Sequence, residues 1–108
     1  MAQSSMAYAV DFSPNDRRAA DRVCVALWGR IRFRGTSHPA RICDISAGGL
    51  MALTPFKLSN SSEVDIDIPV LGWRTAIVAW TEGDRIGCEF EPPLPHDTFD
   101  RFINFQVN

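Results

Sequence analysis

The chain has 108 residues, 45% of them apolar, and a formal charge of −2. That length fits one domain, and that apolar share supports a core and excludes wholesale disorder. The slightly acidic balance excludes a general nucleic-acid binder, which carries a strong basic excess, but it allows a local arginine cluster that takes a small anion.

Residues 1–16 read as a flexible N-terminal arm ahead of one domain over 17–108, because Ser13-Pro14-Asn15-Asp16 is turn chemistry. No basic residue precedes the mild apolar stretch Met1 to Val10, so it makes a poor secretory signal. Nothing approaches the ~20 apolar residues needed to cross a bilayer. These features point to a cytoplasmic protein with no membrane insertion.

From Val23 the pattern has period two. Val23, Val25 and Leu27 share a face, and Ile31 and Phe33 then alternate with Arg30, Arg32 and Arg34. This marks a half-buried strand with a solvated basic face, which can also serve as the lip of an anion site or a partner surface. Gly35 to Pro39 reads as a turn, Ala40 to Ile45 as a second strand, and Leu50 to Leu53 as a third. Val64, Ile66 and Ile68 alternate with Glu63, Asp65 and Asp67 in a fourth. Trp73 to Trp80 is a fifth, and after the hairpin turn Glu82-Gly83-Asp84, Ile86 to Phe90 is a sixth. Pro92-Pro93-Leu94-Pro95 stops strand pairing. A short helix over 97–106 follows, with Asp97 as N-cap and Phe99, Phe102 and Ile103 on one face; Phe105 also reads as helix core. Six short strands and a terminal helix mean an all-β sandwich or barrel, and the pattern alone fits both.

Cys24, Cys43 and Cys88 are odd in number and lack metal or redox spacing, so they read as reduced core thiols. His38 and His96 sit beside prolines in loops. With no nucleophile–base set and no ligand cluster, no catalytic residue, metal or cofactor is expected, and the protein reads as a non-enzyme. Trp28, Trp73 and Trp80 read as core or barrel-end packing.

Two clusters stand apart. Arg17, Arg18 and Arg22 precede the first strand, and Asp44-Ile45-Ser46-Ala47-Gly48-Gly49 ends the second. A guanidinium is permanently charged, bonds a phosphate at two points and suits the O6/N7 edge of guanine. A carboxylate such as Asp44 accepts the N1–H and N2–H₂ donors of guanine, and Ser46 adds a hydroxyl. Gly48 and Gly49 permit close backbone approach or positive φ. The bland reading of the second cluster is turn capping and a bulge, which can coexist with binding. Together the clusters describe a site for an anionic guanine nucleotide.

Arg18-x-x-x-Arg22 followed by Asp44-x-Ser46-x-x-Gly49 resembles the two-part signature of PilZ domains. Trp80, the hairpin and Gly87-x-x-Phe90 also look like the family's later strands, and the likeness covers roughly residues 16 to 100. The resemblance implies a six-stranded antiparallel split β-barrel with a C-terminal helix. It implies cyclic diguanylate (c-di-GMP), a bacterial second messenger, as ligand, often as a stacked pair. By carry-over Arg18 and Arg22 hold phosphate and guanine, Asp44 and Ser46 read guanine, and Gly49 gives close approach. Arg17 matches an arginine often found just before the motif. The expected function is a c-di-GMP receptor that signals through a downstream protein partner. The alternative is a nucleotide-independent adaptor with the same barrel.

Overall fold

A computed structural model describes residues 22–107. The arm 1–16, Arg17 and Arg18 lie outside the described residues. Six strands, β1 (Val23–Phe33), β2 (Thr36–Ser46), β3 (Gly49–Leu53), β4 (Glu63–Ile68), β5 (Gly72–Glu82) and β6 (Arg85–Phe90), precede one helix, α1 (His96–Val107). All pairings are antiparallel, and the order β1-β2-β3-β6-β5-β4 closes on itself as a barrel. Closure leaves no long sheet edge open to pairing, which decides between barrel and sandwich.

The seam that closes the barrel is short. β1 meets β4 through Arg30 opposite Asp67, Ile31 opposite Ile66 and Arg32 opposite Asp65. The arginine stripe of β1 is thus half of a charge ladder rather than only a solvated face. Arg32 reaches Asp65 at 3.5 Å and lies 4.1 Å from the Trp73 ring centroid. An exposed pair of this kind contributes at most about 1 kcal/mol, so its main effect is on register. A one-residue slip would turn either Ile31 or Ile66 outward and break every pair in the ladder.

The β1–β2 hairpin turns at Arg34 and Gly35, with φ of 51° and 81°. Two consecutive positive φ values make a two-residue type I′ turn, so Thr36 to Pro39 join β2 instead of forming a longer loop. Pro39 is tolerated in this strand because β2 starts pairing with β3 only at Arg41. At the β5–β6 hairpin Gly83 takes φ of 60° as the first of two turn residues.

Inward side chains fill the barrel. Ile31, Ile42, Ile45, Leu50, Ile66 and Ile68 are fully buried in one cluster with Val64, Val78, Ile86 and Phe90. α1 contributes Phe99 and Phe102 to that cluster, and the Leu94 N–H bonds to the Ala47 carbonyl at 2.8 Å, tying the segment before α1 to the β2–β3 turn. The Pro95 carbonyl accepts the Phe99 N–H, so the helix starts at His96. Asp97 therefore lies in the first turn, where its charge suits the helix dipole, and is not the cap. Phe105 is 66% exposed rather than core. It lies six residues past Phe99, roughly 240° around the helix, off the buried face.

The cysteines also differ from expectation. Only Cys88 lies in the core, where burial pushes its thiol up to about 12. Cys24 is exposed and Cys43 half-buried, because both belong to an irregular, outward-facing stretch of β1 and β2. Among the described residues no helix is long and apolar enough to cross a membrane.

The two helix phenylalanines give a direct stability contrast. Phe102→Ala is expected to cost about 3–5 kcal/mol of unfolding free energy in urea titrations, as for a large core truncation. Phe105→Ala is expected to stay within about 0.5 kcal/mol of wild type.

Candidate functional site

The site begins with an irregularity in β2. Ile42 pairs with Ala52 of β3, but the next β3 residue, Met51, pairs with Asp44, so Cys43 is an extra residue on β2. This β-bulge resets the alternation. Ile42 and Ile45 both face the core at 0% exposure, and Asp44 and Ser46 face the outer wall of the barrel.

Strand register then places a row of residues around that wall. Cys24 of β1 pairs with Asp44, Asp44 with Met51, Met51 with Gly87 of β6, and Gly87 with Trp80 of β5. A second irregularity between Val78 and Trp80 makes Ala79 the extra residue and turns Trp80 outward. The indole lies flat over Gly87, since a Cβ there would sit 2.2 Å from Trp80 Nε1. Met51 is 7% exposed yet stands outside the core cluster, consistent with its place in this covered outer row. None of the three tryptophans lies in the core, though Trp80 packs against Gly87 on the wall. Trp28 is 66% and Trp73 43% exposed, and Trp80 is half-buried on the wall.

Arg22, just ahead of β1, lies across this row and bonds Asp44 Oδ1 through Nη1 at 2.5 Å. Their side chains are only 10% and 3% exposed. A charge-assisted bond of that length in a nearly dry setting is among the strong side-chain contacts. Ser46 Oγ accepts the Gly48 N–H at 3.2 Å and so shapes the β2–β3 turn. The Gly48 carbonyl accepts the Phe90 N–H at 2.8 Å. Neither Gly48 nor Gly49 takes positive φ. Gly49 is required for another reason: a Cβ there would lie 2.0 Å from the Cys88 carbonyl oxygen of β6. The bulge residue Cys43 has its thiol raised by burial and by Asp44, and lowered by Arg41 and Arg85. Carboxylate and guanidinium groups therefore converge around one point on the wall. No group of three or more His, Cys, Asp or Glu suited to a metal occurs among the described residues.

The geometry thus unites Arg22, Asp44, Ser46, Gly48 and Gly49 at one end of the barrel wall. A family model, that of the PilZ domain, matches residues 16–105. The chain belongs to the PilZ domain family. Among solved structures it is similar to the Borreliella burgdorferi PlzA protein in complex with c-di-GMP, with a TM-score of 0.59 and 14% identity. That match covers 89% of this chain and 42% of the PlzA chain, so this PilZ chain spans less than half of that protein, and the likeness is one of fold. No curated protein matches the chain in sequence.

Met51, Gly87 and Trp80 are wall residues that the sequence reading does not assign to the site; plain alternation puts Met51 and Gly87 outward, but it misplaces Trp80. Counting by two from Ala76 and Val78 puts Trp80 inside, and only the extra residue Ala79 reverses it. The available signal is the pair Ile42 and Ile45, whose spacing of three breaks strict alternation beside Asp44.

Gly49→Ala tests the backbone contact. It is expected to lower ligand-free stability by about 2 kcal/mol or more in a thermal or urea melt, because β3 and β6 must separate to admit the methyl group. A glycine serving only ligand approach would leave that melt unchanged.

Proposed function

We propose that this PilZ protein is a receptor for c-di-GMP that works in the cytoplasm and passes its signal on through contacts with another protein. The observation that carries the reading is the Arg22–Asp44 pair on the outer wall, flanked by Ser46, with Trp80 farther along the row that holds Asp44. Those groups match the demands of a guanine nucleotide: a cation for phosphate, acceptors for the N1–H and N2–H₂ donors, and a flat indole beside them. The family membership and the c-di-GMP complex of the similar PlzA protein support the same ligand. Three free thiols, Cys24, Cys43 and Cys88, suit a reducing compartment.

In this reading the guanine edge takes over the Asp44 carboxylate, and Arg22 swings from Asp44 to phosphate. Ser46 bonds the base edge, while Gly48 and Gly49 keep the turn low enough for the ligand to approach. Arg17 and Arg18, by the motif, close over the phosphates and draw the arm 1–16 with them, which changes the surface offered to a partner. No step calls for a catalytic residue, metal or cofactor.

A nucleotide-independent adaptor is the second reading. It is favoured by Trp28 and Leu53, exposed at 66% and 37% on the same wall. A thermal-shift titration separates the two, since a ligand that binds only the folded state raises the melting temperature.

Calorimetric titration with c-di-GMP tests the site, with GTP and cyclic GMP as controls. The wild type is expected to bind c-di-GMP alone. Arg22→Ala and Asp44→Ala are each expected to weaken binding at least tenfold, the scale of one charged hydrogen bond. Undiminished affinity in both variants would reject the assignment.

A further inference from the structure

The wall carries a second outward row directly beside the Asp44 row. Arg41 of β2 pairs with Leu53 of β3, and Leu53 pairs with Arg85 of β6. Leu53 is two residues from Met51 and Arg85 two from Gly87, so along both strands the rows are separated by about 6.6 Å. Arg41 is three residues from Asp44 across the bulge, which spans at most ~11 Å when extended. Long guanidinium side chains from this row reach a dinucleotide seated on Asp44.

Their charges are not used within the described fold. Arg22 and Arg32 are in ion pairs with Asp44 and Asp65, whereas neither Arg41 nor Arg85 forms an ion pair with a described carboxylate. Glu82 stands opposite Arg85 across the β5–β6 hairpin without bridging it, and Asp84 pairs instead with Lys57 at 3.4 Å. Arg22 and Asp44 cancel each other. Arg41 and Arg85 therefore supply two positive charges beside a site whose ligand carries two phosphate charges. Both lower the Cys43 thiol that Asp44 raises, so the three groups act on the same point from opposite sides. Arg41 also lines an open cleft of about 500 Å³ with Trp28, Leu53 and Pro55, which leaves it accessible from solvent.

We propose that Arg41 and Arg85 are phosphate-binding residues of the nucleotide site, a pair of cations fixed on the barrel wall and separate from the arginines ahead of β1. This rests on the c-di-GMP reading given above. Arg41 lies in β2 and Arg85 in β6, so strand pairing sets the place of both on the wall before the ligand arrives. Binding then orders two side chains and no backbone, at the entropy cost of two immobilised arginines.

The test is a calorimetric titration of the full chain with c-di-GMP for wild type, Arg41→Ala, Arg85→Ala, the double variant and Arg41→Lys. Arg101→Ala, on the exposed face of α1, is the control for removal of a distant cation. Each alanine variant is expected to bind roughly tenfold more weakly. The double variant should lose more and show a shallower dependence on salt. Arg41→Lys should recover part of the loss, and the control should bind as wild type does. Ligand-free melting temperatures should be unchanged throughout, which a structural role for the exposed Arg41 and the half-buried Arg85 would not give. A wild type that binds while the double variant stays within twofold of it, with the same salt dependence, overturns this inference alone. A wild type that ignores c-di-GMP overturns the receptor reading and this inference together.

Discussion

Ile42 and Ile45 lie three residues apart in one strand, and both are fully buried in the barrel core. A regular strand cannot do this, because its side chains alternate with period two. The extra residue Cys43 reconciles the two, and its consequence is that Asp44 and Ser46 leave the interior together. Without the bulge a carboxylate would point into a cluster of Ile, Val and Phe, at a cost of several kcal/mol unless paired. Packing and site chemistry are therefore met by one local feature. The isoleucines hold it in place, and the polar side chains are what it displays.

Placing the site outside the barrel follows from how the inside is used. A six-stranded barrel of this size is filled by its own side chains, and Phe99 and Phe102 of α1 add to the same cluster. The described interior is packed with these side chains, so the proposed nucleotide site falls on the wall. There β3 packs closely on β6 at Gly49, and Trp80 packs closely on Gly87. Bulkier residues at either glycine would collide with the Cys88 carbonyl or the indole. Arg41 and Arg85, which join no ion pair with a described carboxylate, can be removed without touching the core, whereas Arg22 is tied to Asp44 in a nearly buried pair.

Much of this was legible in the sequence. Alternation gave all six strands and the helix, and turn chemistry gave most of their ends. Two limits were physical. Arg34 in a positive-φ turn is a rare use of arginine, so a hairpin at Arg34-Gly35 was hidden behind the more familiar signal of Pro39. Bulges carry no residue signature, so alternation alone counts Trp80 inward and gives no sign that Cys43 is an extra residue, whereas the exposure of Cys24 follows from plain alternation with Val23 and Val25. The Arg and Asp-Ser-Gly clusters were visible as residues. Their union on one face could not be seen from spacing, because Arg22 and Asp44 are 22 residues apart and meet only through the β1–β2 register. The pairing of Arg30 and Arg32 with Asp67 and Asp65 was likewise present in the two alternating runs, but which runs face each other is settled only when the barrel closes.

The central claim is that the ligand sits on the outer row that runs from Asp44 through Met51 and Gly87 to Trp80. Two tryptophans report on it independently, since Trp80 belongs to that row and Trp73 lies beside Arg32 near the closing seam. Two-dimensional NMR of the indole N–H groups during a c-di-GMP titration is the most direct measurement. The Trp80 resonance should move in step with saturation while that of Trp73 stays in place. A bound state in which Trp73 shifts and Trp80 does not would put the ligand on a different part of the barrel and contradict the account.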